Sequence, residues 1–349
     1  MKEIDLKKIS QVVSRKLNES IEFIRCEEAG RGFHSVGYKL TAKDGRLFFL
    51  KEVAVDGFGF EFPERKLSSL LVGHAMARRA DAKPRPVGLI VEVEGDMHMM
   101  PELGENSAIY HLQEFEPEGL SYFALLNQRK EKARMDQQDI AELENITDYI
   151  CSLHKVTHSS GDVKKLKAVY NDGLRGELMH PELTLTFLHA LDEEHPFLSP
   201  SKQGEYVTLL LRLIHLWKDR YDRLRALHGD FWGGNLFLRK DGSVWVIDYS
   251  RVPWGDPGTD IGHWMSQYLW LYHQTRNDYY RELGDAFLSL YIKKTGDKEI
   301  TQALSLGLGL IGVLYASLEV YPDVSLNVRR KMFENVCDIL RENRFAWKD

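Results

Sequence analysis

One stretch of the chain, 227–260, carries three oxygen-bearing side chains that suit a divalent cation. They are Asp230, Asn235 and Asp248. Carboxylate and amide oxygens are ligands that Mg²⁺ prefers, and bound Mg²⁺ keeps phosphates and water for its other positions. Either aspartate alone is more typical of a solvated turn or strand end. The ordered set of three favours phosphoryl transfer, which depends on positioning and charge neutralisation.

A β-hairpin is expected to position these groups. Asp241-Gly242 is a strong two-residue turn signal between two short strand-like runs. Such a turn predicts that Asn235 faces Asp248, with Cβ atoms about 4.5–5.5 Å apart. The preceding loop contains two glycines, so it is flexible enough to bring Asp230 into the same space.

A second candidate site lies near the start of the chain, where 28–39 contains Gly30, Gly32 and Gly37. Glycines have no Cβ, so backbone N–H groups there can approach phosphate oxygens. Three glycines are also typical of a flexible turn, and by themselves they leave both interpretations open.

A lysine strengthens the phosphate interpretation. A two-residue turn at 44–45 predicts that Lys51 opposes Tyr38, one residue beyond the last of the three glycines. The ammonium group would then emerge beside the glycine-containing turn. Lys51 alternates with Phe49 and Leu47, so it shares an apolar face, which is unusual for a solvated edge charge.

The order of elements predicts an α+β protein with two lobes. The first 115 residues have short strand-like runs, at 47–53 and 109–115, and one or two helices. We expect an N-terminal nucleotide-binding lobe at 1–116, a hinge at 114–119, and a C-terminal catalytic and acceptor-binding lobe at 117–349. Helical patterns dominate the second lobe.

Charge, cysteine spacing and apolar run length indicate which partners and which compartment to expect. The 349 residues carry a net charge of −6, which offers no general field for nucleic acid. The three cysteines are far apart and fit a reduced, cytoplasmic compartment. The apolar run 303–318 is shorter than the roughly 20 residues of a spanning helix, so it predicts a buried helix and no membrane partner.

The stretch around Asp230 resembles a known family. Residues 228–235 read His-Gly-Asp-Phe-Trp-Gly-Gly-Asn, similar to the H-G-D-x-x-x-x-N catalytic loop of the aminoglycoside phosphotransferase and choline kinase group. Ile-Asp-Tyr at 247–249 resembles that group's metal-binding I-D-[WFY], and 255–260 is similar to its G-D-P-x-x-D. The resemblance implies a protein-kinase-like fold: a small lobe with an antiparallel sheet and a larger, mainly helical lobe.

The resemblance also implies roles for five residues. Asp230 would orient or deprotonate the acceptor hydroxyl. Asn235 and Asp248 would hold Mg²⁺. His228 and Asp260 would brace the loop, and Asp260 is also well placed to cap a helix that begins near residue 261.

In the first lobe, the resemblance assigns Lys51 to the α/β-phosphates of the nucleotide. It also implies that a helical glutamate holds this lysine in place. Glu64 is favoured, since it shares a helical face with leucines three and seven residues later, and Glu61 is the alternative. Ser35 would lie near the phosphates.

The remaining nucleotide contacts are also implied by the resemblance. Gly30 and Gly32 would lie along the phosphates. Glu114 and Glu116 belong to the hinge, which would touch adenine through backbone groups. The cofactors implied are ATP, with GTP as an alternative, and Mg²⁺.

The leading hypothesis is a phosphotransferase with an alcohol group as acceptor, acting on a small molecule as a monomer or homodimer. A protein kinase-like enzyme and a nucleotide-binding pseudokinase are the alternatives. The acceptor stays open among aminoglycosides, other antibiotics, sugars and amino alcohols. Five aromatic residues after the metal aspartate suit either an acceptor site or the core: Trp254, Trp264, Tyr268, Trp270 and Tyr272.

Overall fold

The chain forms two compact units in the computed structural model. The first contains Met1–Glu118 and Val246–Ser250, and the second contains Gly119–Trp245 and Arg251–Asp349. The segment Val246–Ser250, expected in the C-terminal lobe, thus belongs to the first unit. The residues that the structure describes are 4–32, 35–53, 67–71, 73–74, 77, 85–99, 108–115, 119–180 and 194–348.

The first unit is built on a six-stranded antiparallel sheet. Helix α1 (Leu6–Leu17) precedes it and is capped by Asp5, whose side chain accepts the N–H of Lys8. The spatial order of the strands is β1-β2-β3-β6-β4-β5. Their bounds are β1 (Phe23–Arg31), β2 (Val36–Ala42), β3 (Leu47–Glu52), β4 (Pro86–Val93), β5 (Asp96–Met99) and β6 (Ala108–Glu114).

Both faces of this sheet carry apolar clusters. On one face, Phe48 and Leu50 of β3 pack in a cluster with Ile9 and Val13 of α1. A smaller cluster joins Val53, Leu70, Leu89 and Val91. The helix predicted from leucine spacing is present, with helical residues at 67–71, 73–74 and 77. We call these residues the Leu70 helix.

The first predicted hairpin register is wrong by one residue. Ala42 donates its N–H to Arg46 at 2.9 Å and Gly45 donates to Ala42 at 2.9 Å, so the loop has three residues. Gly45 alone takes a left-handed conformation, at φ +88°, as expected of a type I turn followed by a bulge. Lys51 therefore opposes Gly37 itself rather than Tyr38.

The second predicted hairpin register contains the same error. Arg239 donates its N–H to Ser243 at 3.0 Å, and Gly242 donates to Arg239 at 3.0 Å. Gly242 is left-handed, at φ +80°. The strands are short, β8 (Leu236–Leu238) and β9 (Val244–Val246). Asn235 and Asp248 both lie outside them, so the predicted direct pairing of these two residues is wrong.

The second unit is mainly helical. Two further two-residue strands, β7 (Arg225–Ala226) and β10 (Trp254–Gly255), pair with each other. The helices are α2 (Tyr122–Gln128), α3 (Gln137–His154), α4 (Val163–Leu178), α5 (Pro200–Trp217), α6 (Pro257–Thr275), α7 (Asp278–Thr295), α8 (Ile300–Ala303), α9 (Ser305–Ala316) and α10 (Leu326–Glu342).

Helix α6 is the centre of the second unit, and every residue from Pro257 to His273 is buried. The helix begins at Pro257, with Asp256 as its N-cap, because proline is favoured at the first position and aspartate immediately before it. The prediction that Asp260 caps this helix is wrong. None of the helices in the described part of the chain is both long and apolar enough to cross a membrane.

Candidate active site

In the first unit, Lys51 forms an ion pair with Asp248, its Nζ donating to the carboxylate oxygen Oδ1. The side chains are 20% and 32% exposed, respectively. Lys51 reaches this position from β3. Asp248 follows β9 in a left-handed backbone conformation, at φ +63°, which aspartate tolerates better than most residues. The predicted phosphate lysine and the predicted metal ligand are therefore in direct contact.

The glycine-containing turn lies at the end of the strand beside Lys51. Gly30 pairs with Gly37 across β1 and β2, and Gly32 donates its N–H to Ser35 at 2.9 Å. A Cβ at Gly37 would lie 2.4 Å from Cζ of Phe49, so no larger residue fits there without movement. Residues 33–34 of this turn lie outside the described residues.

The predicted hinge uses its backbone donors within the sheet. Glu114 donates its N–H to Arg85 at 3.3 Å, and Phe115 donates to Leu47 at 3.4 Å. An adenine base would therefore have to meet other backbone groups of this segment. Glu116 and both candidate glutamates for Lys51, Glu61 and Glu64, lie outside the described residues.

In the second unit, the predicted catalytic loop, 228–235, is held by the buried carboxylate of Asp260. Its oxygens accept the N–H groups of His228 at 2.8 Å and Gly229 at 2.9 Å. His154 contacts the same carboxylate at 3.1 Å. Burial alone would raise the pKa of Asp260, but the hydrogen bond and charge of His154, with the backbone of His228, hold it below its usual value. Fully buried His228 bonds the N–H of Asp230 through Nδ1 at 3.2 Å.

Asp230 and Asn235 meet directly at the two ends of this loop. Nδ2 of Asn235 donates to Oδ2 and to the backbone oxygen of Asp230, each at 3.0 Å. Because Nδ2 donates both of these hydrogen bonds, the side-chain oxygen is the atom of Asn235 that can bind a cation. The loop thus fixes the carboxylate and the amide relative to each other.

The sequence analysis missed Arg251, which forms an ion pair with Asp230 through Nη1. The same guanidinium donates to the backbone oxygen of Gly229 at 3.1 Å. Arg251 has a left-handed backbone, at φ +58°. The predicted catalytic carboxylate, Asp230, and the predicted metal ligand, Asp248, therefore each have a cationic partner in their own unit. The only signal in the sequence was a basic residue three positions after Asp248.

Gln267 is a second residue that sequence reasoning missed. Its Oε1 accepts the N–H of Gly233 at 3.0 Å, and the side chain is fully buried. Since Asp260 lies seven residues earlier on α6, both residues lie on one face of that helix. This buried face supports the catalytic loop at both its beginning and its middle.

We expect Gln267→Met to lower the free energy of unfolding by about 1–3 kcal/mol, because the N–H of Gly233 would be buried without an acceptor. Chemical denaturation measures this loss. The control is Gln302→Met at an exposed position, which should change stability by less than about 0.5 kcal/mol. Equal effects of the two substitutions would contradict the role of Gln267.

A buried ion pair lies near the catalytic loop. Nε2 of His263 on α6 contacts Oε1 of Glu177 on α4 at 2.6 Å, and both side chains are essentially inaccessible. Burial lowers the pKa of His263, but the charge and hydrogen bond of Glu177 outweigh burial and raise it above its usual value. Charges on Arg251 and Asp230 also act on His263, in opposite directions.

This pair predicts a pH dependence of stability. The stabilisation is complete below the unfolded pKa of histidine, about 6.5, and is lost as the pH rises through the raised folded value. The stability difference between wild type and Glu177→Gln should therefore be largest near pH 6 and shrink by up to about 1.4 kcal/mol per pH unit. Thermal and chemical unfolding from pH 6 to 9 measure it. A difference independent of pH would contradict a charged pair.

The aromatic residues after Asp248 are mostly core. Trp264 and Tyr268 are fully buried, and Trp270 and Tyr272 are each 5% exposed. Trp254 is only partly buried, and its ring contacts that of His158 edge-on at 5.0 Å. Four of the five residues therefore pack the second unit.

The chemistry of the two predicted ligands suits Mg²⁺. No group of three or more histidine, cysteine, aspartate or glutamate side chains in the described part of the chain is arranged to hold a metal by itself. The predicted ligands are instead a carboxylate in the first unit, Asp248, and an amide in the second, Asn235, and each carries an oxygen of the kind that Mg²⁺ prefers.

Comparison with known proteins identifies a family and a fold. A model of the phosphotransferase enzyme family, APH, matches residues 92–301. No curated protein matches the sequence. The crystal structure of a thermostable mutant of aminoglycoside phosphotransferase APH(4)-Ia is 13% identical, with a TM-score of 0.53 over 95% of this chain and 98% of the other.

A second solved structure supports the same fold. Amicoumacin kinase hAmiN is 13% identical, with a TM-score of 0.53 over 92% of this chain and 88% of the other. The expected kinase-like α+β fold is confirmed, with its antiparallel N-terminal sheet and mainly helical C-terminal part. Because the family model covers more than half of the 349 residues, the chain belongs to the phosphotransferase enzyme family.

Proposed function

We propose that this protein is an ATP- and Mg²⁺-dependent phosphotransferase that moves the γ-phosphate to a hydroxyl of a small molecule. The observation that carries most weight is the contact between Lys51 and Asp248. In phosphoryl transfer, the phosphate-binding lysine and the metal-binding carboxylate act on the same triphosphate. In this structure the two side chains are in direct contact.

Nucleotide binding would separate Lys51 from Asp248 and give each of them a new partner. Lys51 would turn its ammonium group from Asp248 to phosphate oxygens, which carry more charge. Asp248 and Asn235 would then supply oxygen ligands to Mg²⁺, which neutralises the phosphate charge when bound. Gly30, Gly32 and Ser35 would line the phosphates, and the 114–116 hinge would contact the base.

Asp230 would act on the acceptor. Its contacts with Asn235 and Arg251 fix the direction of its carboxylate, so it can hold the acceptor hydroxyl in line with the transferring phosphate and take up its proton. His228 and Asp260 hold the loop through backbone hydrogen bonds. Arg251 places its guanidinium group beside the carboxylate of Asp230.

The proposed acceptor class is supported by the solved structures that resemble this chain rather than by individual contacts. The APH(4)-Ia structure was also solved as a ternary complex with ADP and hygromycin B, and the hAmiN structure holds AMP-PNP and Ca²⁺. For this chain we propose an acceptor from the aminoglycosides, other antibiotics, sugars or amino alcohols. We propose that 1–116, with Val246–Ser250 in the same unit, forms the nucleotide-binding lobe and that the rest of 117–349 forms the catalytic and acceptor-binding lobe. We also propose a cytoplasmic location.

A nucleotide-consumption screen tests the proposal. The purified protein is incubated with ATP or GTP, Mg²⁺ and one member of an acceptor panel that includes aminoglycosides, macrolides, sugars and amino alcohols. We expect one class to raise ATP consumption and to gain a phosphate, detected by mass spectrometry. Consumption that requires a protein acceptor, or nucleotide binding with no consumption on any acceptor, would contradict the proposal.

A further inference from the structure

At Gly73, the Leu70 helix closely approaches the backbone of the segment that carries Asp248. A Cβ built on Gly73 would lie 2.3 Å from the carbonyl oxygen of Tyr249, the residue that follows Asp248. Cβ atoms do not approach backbone oxygens so closely. The helix can therefore occupy this position only because residue 73 has no side chain.

The same helix also packs against Val53, the residue that directly follows β3, the strand that carries Lys51. Leu70, Gly73 and Ala77 are buried and lie three and four residues apart, so they share one helical face. Leu70 packs in a cluster with Val53, two residues after Lys51. One face of the helix thus contacts Val53, two residues after Lys51, and Tyr249, the residue after Asp248.

We propose that Gly73 is a positioning residue for Asp248, the carboxylate that serves the metal. The inference rests on the proposed function. Asp248 follows a short strand in a left-handed conformation, so strand pairing does not fix the direction of its side chain. Close contact with the helix at Tyr249 supplies that constraint, and it sets the distance between Asp248 and Lys51.

We expect Gly73→Ala to weaken metal binding, although helix propensity alone predicts that this substitution is favourable. Alanine is the better helix former, so Gly→Ala inside a helix normally stabilises. At position 73 the added methyl group must push Tyr249 away, and Asp248 moves with it. At Gly204 in α5, where no atom lies within 4 Å of the added Cβ, the same substitution meets open space and serves as the matched control.

The test measures metal affinity rather than turnover. Mn²⁺ binding is titrated by electron paramagnetic resonance in the presence of AMP-PNP, for wild type, Gly73→Ala and Gly204→Ala. We expect Gly73→Ala to weaken Mn²⁺ binding about 10–100-fold, the usual effect of disturbing a residue that orients a metal ligand. Gly204→Ala should bind Mn²⁺ as wild type does.

Two outcomes separate this inference from the proposed function. Equal Mn²⁺ affinity of Gly73→Ala and wild type overturns the inference and leaves the function intact. No Mn²⁺ binding by wild type with AMP-PNP overturns the proposed function itself.

A second measurement needs no variant. In hydrogen exchange on wild type, AMP-PNP with Mn²⁺ should slow the amides of 246–250 and of the Leu70 helix together, because the two segments are in contact. Slowing that is confined to 246–250 would overturn the inference.

Discussion

Asp230→Asn should lower kcat about 10²–10⁴-fold, the usual range for a positioned general base. Asparagine keeps the shape of the side chain and removes its charge. Its amide can still contact Asn235, so the loop should retain its hydrogen bonds to Asp260. The loss therefore reports on chemistry rather than on folding. Steady-state kinetics with the acceptor found by the screen measures it.

The control for this substitution is Asp323→Asn, at an exposed position that takes part in none of the site contacts described above. It should leave kcat and the unfolding temperature unchanged. If Asp230→Asn kept kcat within about twofold of wild type, the loss would be far below the range expected for a general base. The assignment of Asp230 as the base would then be wrong.

Asp248→Asn should reduce metal-dependent turnover by at least about 10³-fold, because several kcal/mol of charge stabilisation depend on the metal. Asparagine is chosen because Asp248 has φ +63°, and asparagine tolerates this region whereas alanine would add backbone strain. Lys51 would lose its anionic partner, so the phosphates should bind with less competition. Nucleotide affinity without metal should therefore be kept or increased.

Titrating Mg²⁺ against turnover separates the two effects of this substitution. A normal response to Mg²⁺ in Asp248→Asn would contradict its role as a ligand. A loss of nucleotide binding without metal would contradict the exchange of Lys51 between Asp248 and phosphate.

Both hairpins illustrate why the sequence predicted the elements but not their register. Asp44-Gly45 and Asp241-Gly242 each suggest a two-residue turn, yet only the glycines are left-handed. By contrast, Glu94-Gly95 joins β4 to β5 with both residues left-handed and with Val93 pairing Asp96. The choice between the two turn types shifts every cross-strand partner by one residue.

Motif spacing identified the residues that the loop brings together, including Asp230, Asn235 and Asp260. It did not identify Arg251, Gln267 or Gly73, because their contacts depend on how distant segments pack. Gln267 bonds a residue 34 positions away in the chain. Such pairings have no local signature. The fold class depends on periodicity, which is local, and was therefore accessible from sequence.

Transfer of a radioactive γ-phosphate tests the central claim most directly. With γ-³²P-labelled ATP, Mg²⁺ and the acceptor selected by the screen, wild type should move the label onto the acceptor, and Asp230→Asn and Asp248→Asn should leave it on ATP within the same time. Label that appears only as inorganic phosphate, or that reaches the acceptor equally in all three proteins, would contradict the account.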